Sequence, residues 1–372
     1  MIEKIWLSSP HMGGTEMKYV QEAYDTNWVA PLGPNVNGFE QDIVNYTGAA
    51  AASVLNSGTS AIHLALILLG VKIGDEVLCS SFTFSATANP IVYQGAVPIF
   101  VDSELDTWNM CPLLLEEAIK DRISKGKTPK ALLLVHLYGM PSKMDEIITI
   151  STKYGIPIIE DAAEAIGATY KGKSMGTFGE LGVYSFNGNK IITTSGGGAL
   201  VSNKPAYCSR ATFLATQAKD DAPHYLHSEI GYNYRMSNIV AGIGRGQMEV
   251  LDSHISARRA NHEYYLENIQ SDSIQFLKEP KGYFSNRWLT CVLTTSFEQR
   301  ESIRLALAEE NIEARPLWKP MHQQPVFENY PAYTNEVSEE LFEKGLCLPS
   351  GSNLSKDDLD RVIEVINKIC NV

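Results

Sequence analysis

Short apolar runs alternate with helix-like segments between about residues 58 and 200. Five of these runs are predicted to be strands: residues 76–82, 96–102, 131–139, 156–161 and 182–186. The segments between them with apolar side chains at helical spacing are predicted helices: residues 85–94, 112–123 and 143–155. Nearly continuous apolar strands that alternate with helices are typical of a mostly parallel sheet with helices on both faces.

The remaining chain predicts a second, smaller unit. Apolar positions continue at helical spacing over residues 236–270, which predicts one long helix leading into a C-terminal region. That region contains a strand-like run at 287–295 and two further predicted helices, whereas residues 15–50 are predicted to be helix and loop. We therefore expect an α/β fold, with a large domain over residues 1–245 and a smaller α/β domain over residues 246–372.

Composition narrows the class of protein. The 372 residues include 31 lysines and arginines against 43 aspartates and glutamates, a net charge of −12, so nucleic acid and anionic membranes are not expected partners. The six cysteines are scattered, the first residues lack the apolar core of a signal peptide, and no apolar run approaches the ~20 residues of a membrane span. A cytoplasmic protein with reduced thiols is expected, and no histidine spacing indicates a metal site.

A candidate anion site precedes one apolar helix. Gly58, Thr59 and Ser60 lie just before the apolar run 61–70. The free N–H groups and positive end of a helix bind phosphate well, although small polar residues also cap many helices without binding a ligand.

A candidate acid ends the fourth predicted strand. Asp161 is the last residue of the run 156–161. Two interpretations of this residue are open. Asp161 is either the N-cap of a following helix or a buried carboxylate that keeps a ring nitrogen protonated, as pyridoxal phosphate requires.

A candidate nucleophile follows the fifth predicted strand. Lys190 lies four residues after the run 182–186, and is either a solvated loop cation or an amine that forms a Schiff base. Ser185 could add a hydroxyl to the phosphate site, and the glycines at 196–198 form either a tight turn or a close approach to a cofactor. Phosphate site, acid and lysine, about 100 and then 29 residues apart, occur in the order typical of fold-type I pyridoxal phosphate enzymes.

Seven motifs carry a resemblance over nearly the whole chain: "NSGTSAIHLAL", "SSFTFSATANP", "EDAAEAIG", "YSFNGNKIITTSGGG", "GYNYRMSN", "RPLWKPMH" and "CLPSG". They resemble, in order, the motifs of the DegT-type nucleotide-sugar aminotransferases. Within that family the motifs resemble those of the C4-aminating transaminase of bacillosamine synthesis. That resemblance implies a fold-type I large domain with a mostly parallel seven-stranded sheet. It also implies amination of UDP-2-acetamido-2,6-dideoxy-4-ketohexose with L-glutamate as donor.

The resemblance also implies roles for the pyridoxal phosphate site. It assigns the Schiff-base lysine to Lys190 and the partner of the pyridine nitrogen to Asp161. Glu164 would lie beside the ring hydroxyl, and Phe84, otherwise an ordinary core residue, would stack on the ring. The cofactor phosphate would be held by Gly58, Thr59, Ser60 and Ser185, and by Asn233 of the neighbouring subunit. A homodimer with shared active sites is therefore implied.

Two segments are implied to line the nucleotide-sugar pocket: Asn27, Trp28, Val29 and Ala30, and Trp318, Lys319, Pro320 and Met321. His322 adjoins the second segment, and either a pocket role or a structural role fits it. Family members with histidine in place of the lysine carry out C3 deoxygenation, and Lys190 argues against that chemistry. Two alternatives remain: a C3-aminating enzyme acting on a dTDP- or UDP-linked 3-keto sugar, and a non-catalytic pyridoxal phosphate-binding regulator.

Overall fold

The computed structural model describes residues 3–370. Its α-helices are α1 (Glu16–Asp25), α2 (Pro34–Thr47), α3 (Gly58–Leu68), α4 (Ser85–Tyr93), α5 (Pro112–Ser124), α6 (Met144–Tyr154), α7 (Pro205–Ala215), α8 (Asn238–Glu249), α9 (Leu251–Asn268), α10 (Phe297–Glu309), α11 (Val337–Lys344) and α12 (Lys356–Ile369). Its strands are β1 (Ala51–Leu55), β2 (Glu76–Ser80), β3 (Val97–Val101), β4 (Ala131–Val135), β5 (Ile158–Asp161), β6 (Thr169–Tyr170), β7 (Lys173–Ser174), β8 (Leu181–Ser185), β9 (Gly198–Ser202), β10 (Gln275–Phe276), β11 (Tyr283–Phe284), β12 (Thr290–Leu293), β13 (Arg315–Pro316), β14 (Ala332–Tyr333) and β15 (Gly345–Leu348).

A large mixed sheet organises the first two thirds of the chain, in the order β1-β9-β8-β5-β4-β2-β3-β14. The strands from β8 to β14 run parallel to their neighbours, while β9 is antiparallel to both β1 and β8. Seven of these strands form the expected mostly parallel sheet, and β14, contributed by the C-terminal region, adds a two-residue edge. All five strands and all three helices predicted between residues 76 and 186 are confirmed.

Both faces of the large sheet are covered by helices. Along β4, Leu132 and Leu134 belong to one apolar cluster, and Leu133 belongs to another. Successive strand residues point to opposite faces, so the two clusters lie on opposite sides of the sheet. The first cluster includes residues of α2, α5 and α6, and the second includes residues of α3, α4 and α7. Because the parallel strands end at one edge, their carboxyl ends are the natural place for a site.

A smaller sheet, β10-β12-β15-β13, is antiparallel and lies in the C-terminal region. The strand expected within residues 287–295 is β12. Three helices, α10, α11 and α12, occur after residue 296, and not the two that were predicted. The additional one, α11, spans eight residues and is too short to stand out by periodicity. The domain boundary at residue 245 stays a prediction.

The single helix predicted over residues 236–270 is wrong, because the chain forms two helices there. α8 ends at Glu249 and α9 begins at Leu251, and Val250 between them has φ −113° and ψ 5°, outside the helical region. α8 packs against α1 and α2, whereas α9 contacts α12. The apolar spacing continues through the break because both helices bury a face, each against different elements. Between residues 3 and 370, no helix combines the length and apolarity that a bilayer crossing needs.

Candidate active site

The carboxyl ends of β5 and β8 meet the start of α3 at a cavity of about 960 Å³. The cavity gathers side chains from the large sheet and from the C-terminal region. Ten residues predicted for the site line it: Gly58, Thr59, Phe84, Asp161, Glu164, Ser185, Lys190, Trp318, Lys319 and Met321.

The start of α3 is built as an anion site. Ser57 is the N-cap, and its Oγ accepts a hydrogen bond from the Ser60 N–H at 3.0 Å. The Ser60 hydroxyl donates to Asn56 Oδ1 at 2.6 Å, so the polar groups of Ser60 are engaged in the cap. The Gly58 and Thr59 N–H groups, in the first turn, have no intrahelical acceptor. A Cβ on Gly58 would lie 3.5 Å from Ser185 Oγ, so the Ser185 hydroxyl lies beside these donors.

Two of the three consecutive glycines, Gly196 and Gly198, differ in the space available to a side chain. Gly198 begins β9 opposite Leu55, and a Cβ there would collide with the Gly58 nitrogen and the Ser57 carbonyl group. Gly196 lines the cavity, and a Cβ there would have no atom within 4 Å. Close backbone approach is therefore required at Gly198, where the strand passes against the anion site itself.

Gly198→Ala is expected to weaken binding of pyridoxal phosphate, the expected cofactor, by about tenfold or more, because the added methyl group pushes the Ser57–Gly58 backbone away from its position. Cofactor titration followed by absorbance measures this. Gly196→Ala is the matched control and should bind like the wild type, because its methyl group meets open space. Equal affinities for the two variants would contradict the role given to Gly198.

Asp161 is a buried carboxylate at the end of β5. Its side chain is 5% exposed, Oδ2 accepts from Thr87 Oγ1 at 2.7 Å, and Oδ1 accepts from the Ala163 N–H at 3.1 Å. Residues 162–168 form turns, so the N-cap reading is wrong. Among the residues that the structure describes, no cation forms an ion pair with Asp161. A buried charge without a counter-ion is costly, so this carboxylate is suited to a cationic ligand.

Lys190 is turned inward, and the solvated-loop reading is wrong. Its side chain is 13% exposed, and Nζ lies 3.2 Å from Glu164 Oε1. The ammonium also lies 4.1 Å from the centre of the Trp288 indole. The carbonyl of the preceding residue, Asn189, accepts hydrogen bonds from Ser8 Oγ and from Trp288 Nε1, both at 2.7 Å. The lysine is therefore held at the cavity by contacts from distant parts of the chain.

Glu164 is buried beside Lys190. Its Oε2 accepts a hydrogen bond from the Tyr138 N–H at 2.7 Å. Burial raises the pKa of Glu164 from its ordinary value of 4.5 to about 7, while the nearby Lys190 charge opposes that rise. Glu164 therefore changes its protonation state near neutral pH.

Glu164→Gln is expected to change the pH dependence of stability of the apoprotein. The folded state keeps the Glu164 proton up to about pH 7, whereas the unfolded chain releases it near 4.5, so Glu164 makes stability fall as pH rises through this window. Glutamine does not ionise, so the variant does not lose stability in this way. Its free energy of unfolding, relative to that of the wild type, should therefore rise by on the order of 3 kcal/mol between pH 4.5 and about 7. Urea unfolding at several pH values measures the gain. The exposed Glu328→Gln serves as control, and a pH-independent difference for Glu164→Gln would contradict the assignment.

Three aromatic side chains, Phe84, Trp288 and Trp318, line the cavity. Phe84 is 57% exposed, so it is not an ordinary core residue, and its ring lies 5.6 Å from that of Trp318. The backbone N–H of Trp318 donates a hydrogen bond to the Tyr138 hydroxyl at 3.0 Å. Trp288 also lines the cavity and was missed by the sequence analysis, since its neighbourhood predicts only a buried strand. Ring stacking by Phe84 stays a prediction.

Several predicted site residues lie outside the cavity lining of the single chain: Asn27, Trp28, Val29, Ala30, Ser60, Asn233, Pro320 and His322. Asn233 is exposed and forms a backbone bridge with Thr216. The carbonyls of Trp28 and Ala30 accept hydrogen bonds from Asn238. Both His322 ring nitrogens are engaged, with Ser81 Oγ at 2.6 Å and Glu339 Oε1 at 3.0 Å, which favours a structural role. The binding roles of these residues stay predictions.

Known proteins are similar to this chain in sequence and in fold. EpsN of Bacillus subtilis (strain 168), provisionally named a pyridoxal phosphate-dependent aminotransferase, is 54% identical over 371 residues, which cover 98% of this chain and 96% of EpsN. The GDP-perosamine synthase of Escherichia coli O157:H7 is 39% identical over 360 residues, 96% of each chain. A solved DegT DnrJ EryC1 StrS aminotransferase from Brucella abortus matches with a TM-score of 0.90 at 30% identity, over 96% of this chain and 95% of that one.

The family assignment covers nearly the whole chain. Residues 10–367 match one family of aminotransferases, and the expected fold-type I architecture is confirmed by the solved structures. The sequence, the fold and the lysine-bearing cavity agree that the chain belongs to the DegT/DnrJ/EryC1/StrS aminotransferase family.

Proposed function

We propose that this chain is a pyridoxal phosphate-dependent nucleotide-sugar aminotransferase that forms the 4-amino sugar from UDP-2-acetamido-2,6-dideoxy-4-ketohexose, with L-glutamate as amino donor. One observation carries the proposal. A single cavity holds an inward-turned amine, a buried carboxylate and the open start of a helix. Membership of the family supports the reaction class, and the choice of UDP, C4 and glutamate rests on the motifs described above.

The residues of the cavity fit the cofactor. Gly58 and Thr59 offer N–H groups, and Ser185 a hydroxyl, to a phosphate. Asp161, buried and without an ion pair among residues 3–370, needs the positive charge that a protonated pyridine nitrogen provides. When bound, pyridoxal phosphate supplies the electron sink through which an amino group passes from an amino acid to a keto sugar.

Lys190 and Glu164 supply the proton chemistry. The Lys190 amine is the group for covalent attachment of the cofactor and, once released, the base that removes the proton from Cα of the donor. Glu164 Oε1, 3.2 Å from Lys190 Nζ, can exchange a proton with that amine near neutral pH, since burial raises the pKa of Glu164 to about 7. Donor and sugar would use the same cavity in turn, as a ping-pong cycle requires.

Trp318 and Lys319, two residues of the C-terminal region, line the cavity and would contact the nucleotide sugar. Trp318 offers an aromatic face, and the Lys319 ammonium has no ion pair or hydrogen bond to another described residue. A free cation beside an aromatic surface suits a diphosphate attached to a base and a sugar.

A homodimer in the cytoplasm is part of the proposal. Trp28 and Val29 are 40% and 54% exposed, and exposed apolar side chains of this size are common at subunit interfaces. Asn233, exposed in the single chain, would reach the cofactor phosphate of a second copy. Sedimentation of the purified protein tests the dimer, and a monomer with full activity would contradict shared sites.

The test of function is a substrate panel. The purified protein should be yellow, and its visible band should move on addition of glutamate. UDP-, GDP- and dTDP-linked 4-keto and 3-keto sugars are then supplied in turn, and the amino sugar product is identified by mass and NMR. Turnover restricted to 3-keto sugars would replace the C4 assignment by C3 amination. A cofactor band that no amino donor shifts would favour the non-catalytic regulator. A GDP-linked sugar is the second candidate, favoured by the 39% identity with GDP-perosamine synthase.

A further inference from the structure

Two buried threonines lead to the carboxylate of Asp161. Thr83 lies just before α4 and Thr87 in its first turn, and their side chains are almost fully buried. Thr83 Oγ1 lies 2.7 Å from Thr87 Oγ1, and Thr87 Oγ1 lies 2.7 Å from Asp161 Oδ2. The three polar groups form one continuous chain at the wall of the cavity, which both threonines line.

Elementary hydrogen-bond chemistry fixes the direction of this chain. An ionised carboxylate can only accept, so the single hydroxyl hydrogen of Thr87 is directed to Asp161. The Thr87 oxygen can then only accept from Thr83, which becomes the donor. As long as Asp161 is charged, Thr83 therefore donates a hydrogen bond to Thr87, and Thr87 donates one to the Asp161 carboxylate.

Few other groups stabilise the charge of Asp161. Its direct neighbours on the adjoining strands are Val135 of β4 and Val183 of β8, both apolar. The only other hydrogen bond to the carboxylate within residues 3–370 comes from the Ala163 N–H. Burial raises the pKa of Glu164 and of the Cys79 thiol, and the nearby negative charge of Asp161 adds to both rises. The Lys190 amine lines the same cavity and pairs with Glu164, not with Asp161. Thr87 is therefore the one side chain among residues 3–370 that hydrogen-bonds the Asp161 carboxylate.

We propose that Thr87 is the positioning residue that holds the Asp161 carboxylate oriented toward the pyridine nitrogen. The proposal rests on the proposed function, because it concerns the cofactor of that reaction. Thr87 and Ala163 each occupy one lone pair of the carboxylate, and the remaining lone pairs are left to face the ring. Without the Thr87 hydrogen bond only the Ala163 N–H holds the carboxylate, which can then turn away from the ring and leave the pyridinium unpaired.

The experiment compares Thr87→Val, which keeps the shape and removes the hydroxyl, with Thr87→Ser, which keeps the hydroxyl. The dissociation constant of pyridoxal phosphate is measured by absorbance titration of each apoprotein at one pH. Thr87→Val should bind about tenfold or more weakly than the wild type. The absorbance maximum of the bound cofactor responds to the charge on its ring, so it should shift in Thr87→Val. Thr87→Ser should match the wild type in both affinity and absorbance.

Wild-type affinity and absorbance in Thr87→Val would overturn the inference. Thr87→Ser binding as weakly as Thr87→Val would overturn it as well. Thr149→Val on the exposed surface of α6 controls for the exchange itself, and Thr87→Ala repeats the test if Thr87→Val does not fold. Absence of cofactor binding by the wild type would overturn the proposed function together with the inference, so the two failures can be told apart.

Discussion

Lys190→Ala is expected to abolish transamination, with turnover lower by at least about 10³-fold, because no other amine occupies the position of Lys190 Nζ beside Glu164 and Trp288. The anion site at the start of α3 is untouched by this change, so the variant should still bind pyridoxal phosphate without a covalent link. Borohydride reduction followed by peptide mass spectrometry measures that link at Lys190 in the wild type and its absence in the variant. The exposed Lys278→Ala is the matched control and should keep wild-type turnover.

Full activity of Lys190→Ala would remove the chemical basis of the proposed function. A covalent link found at another lysine of the wild type would do the same. Retained cofactor binding in an inactive variant separates a lost catalytic amine from a collapsed cavity.

Asp161→Asn is expected to lower turnover by about 10²-fold or more, because a neutral amide cannot keep the pyridine nitrogen protonated. The size of the side chain is conserved. Its remaining oxygen can accept from the Ala163 N–H, while its NH2 group would donate to the Thr87 oxygen, so both neighbours keep a polar partner. Steady-state kinetics and the cofactor absorbance measure the effect. Asp161→Glu keeps the charge and should recover part of the activity.

Stability provides the control for Asp161→Asn. The substitution removes a buried charge that has no ion pair among the described residues, so urea unfolding of the apoprotein should show no loss of stability. A variant that is both unstable and inactive would favour a structural role for Asp161. Near-wild-type turnover would contradict the pairing with the pyridine nitrogen.

The local features of the site could be predicted because they lie next to strong apolar runs. Asp161 ends a strand and Lys190 follows one, and strands with continuous apolar side chains are recognisable without tertiary information. The start of α3 was equally visible, because the small residues Gly58, Thr59 and Ser60 come just before a continuous apolar run. These residues meet because parallel strands end at one edge of the sheet.

The features that escaped prediction depend on contacts between distant segments. Trp288 reaches Lys190 from the C-terminal region, and Thr87 reaches Asp161 from α4, and neither position has a local signal. The break at Val250 also escaped, since the helices on its two sides both have a buried face and differ only in their packing partners. The spacing of apolar residues predicts that a side chain is buried, and it does not predict which element that side chain packs against.

The carbonyl of Asn189 has a practical consequence for handling the protein. It is held from one side by Ser8 and from the other by Trp288, so the backbone next to Lys190 is tied to the first residues of the chain. Loss of the segment that carries Ser8 would remove one of the two hydrogen-bond donors that hold the peptide next to the reactive amine. Kinetic work on this enzyme is therefore best done with the segment around Ser8 intact.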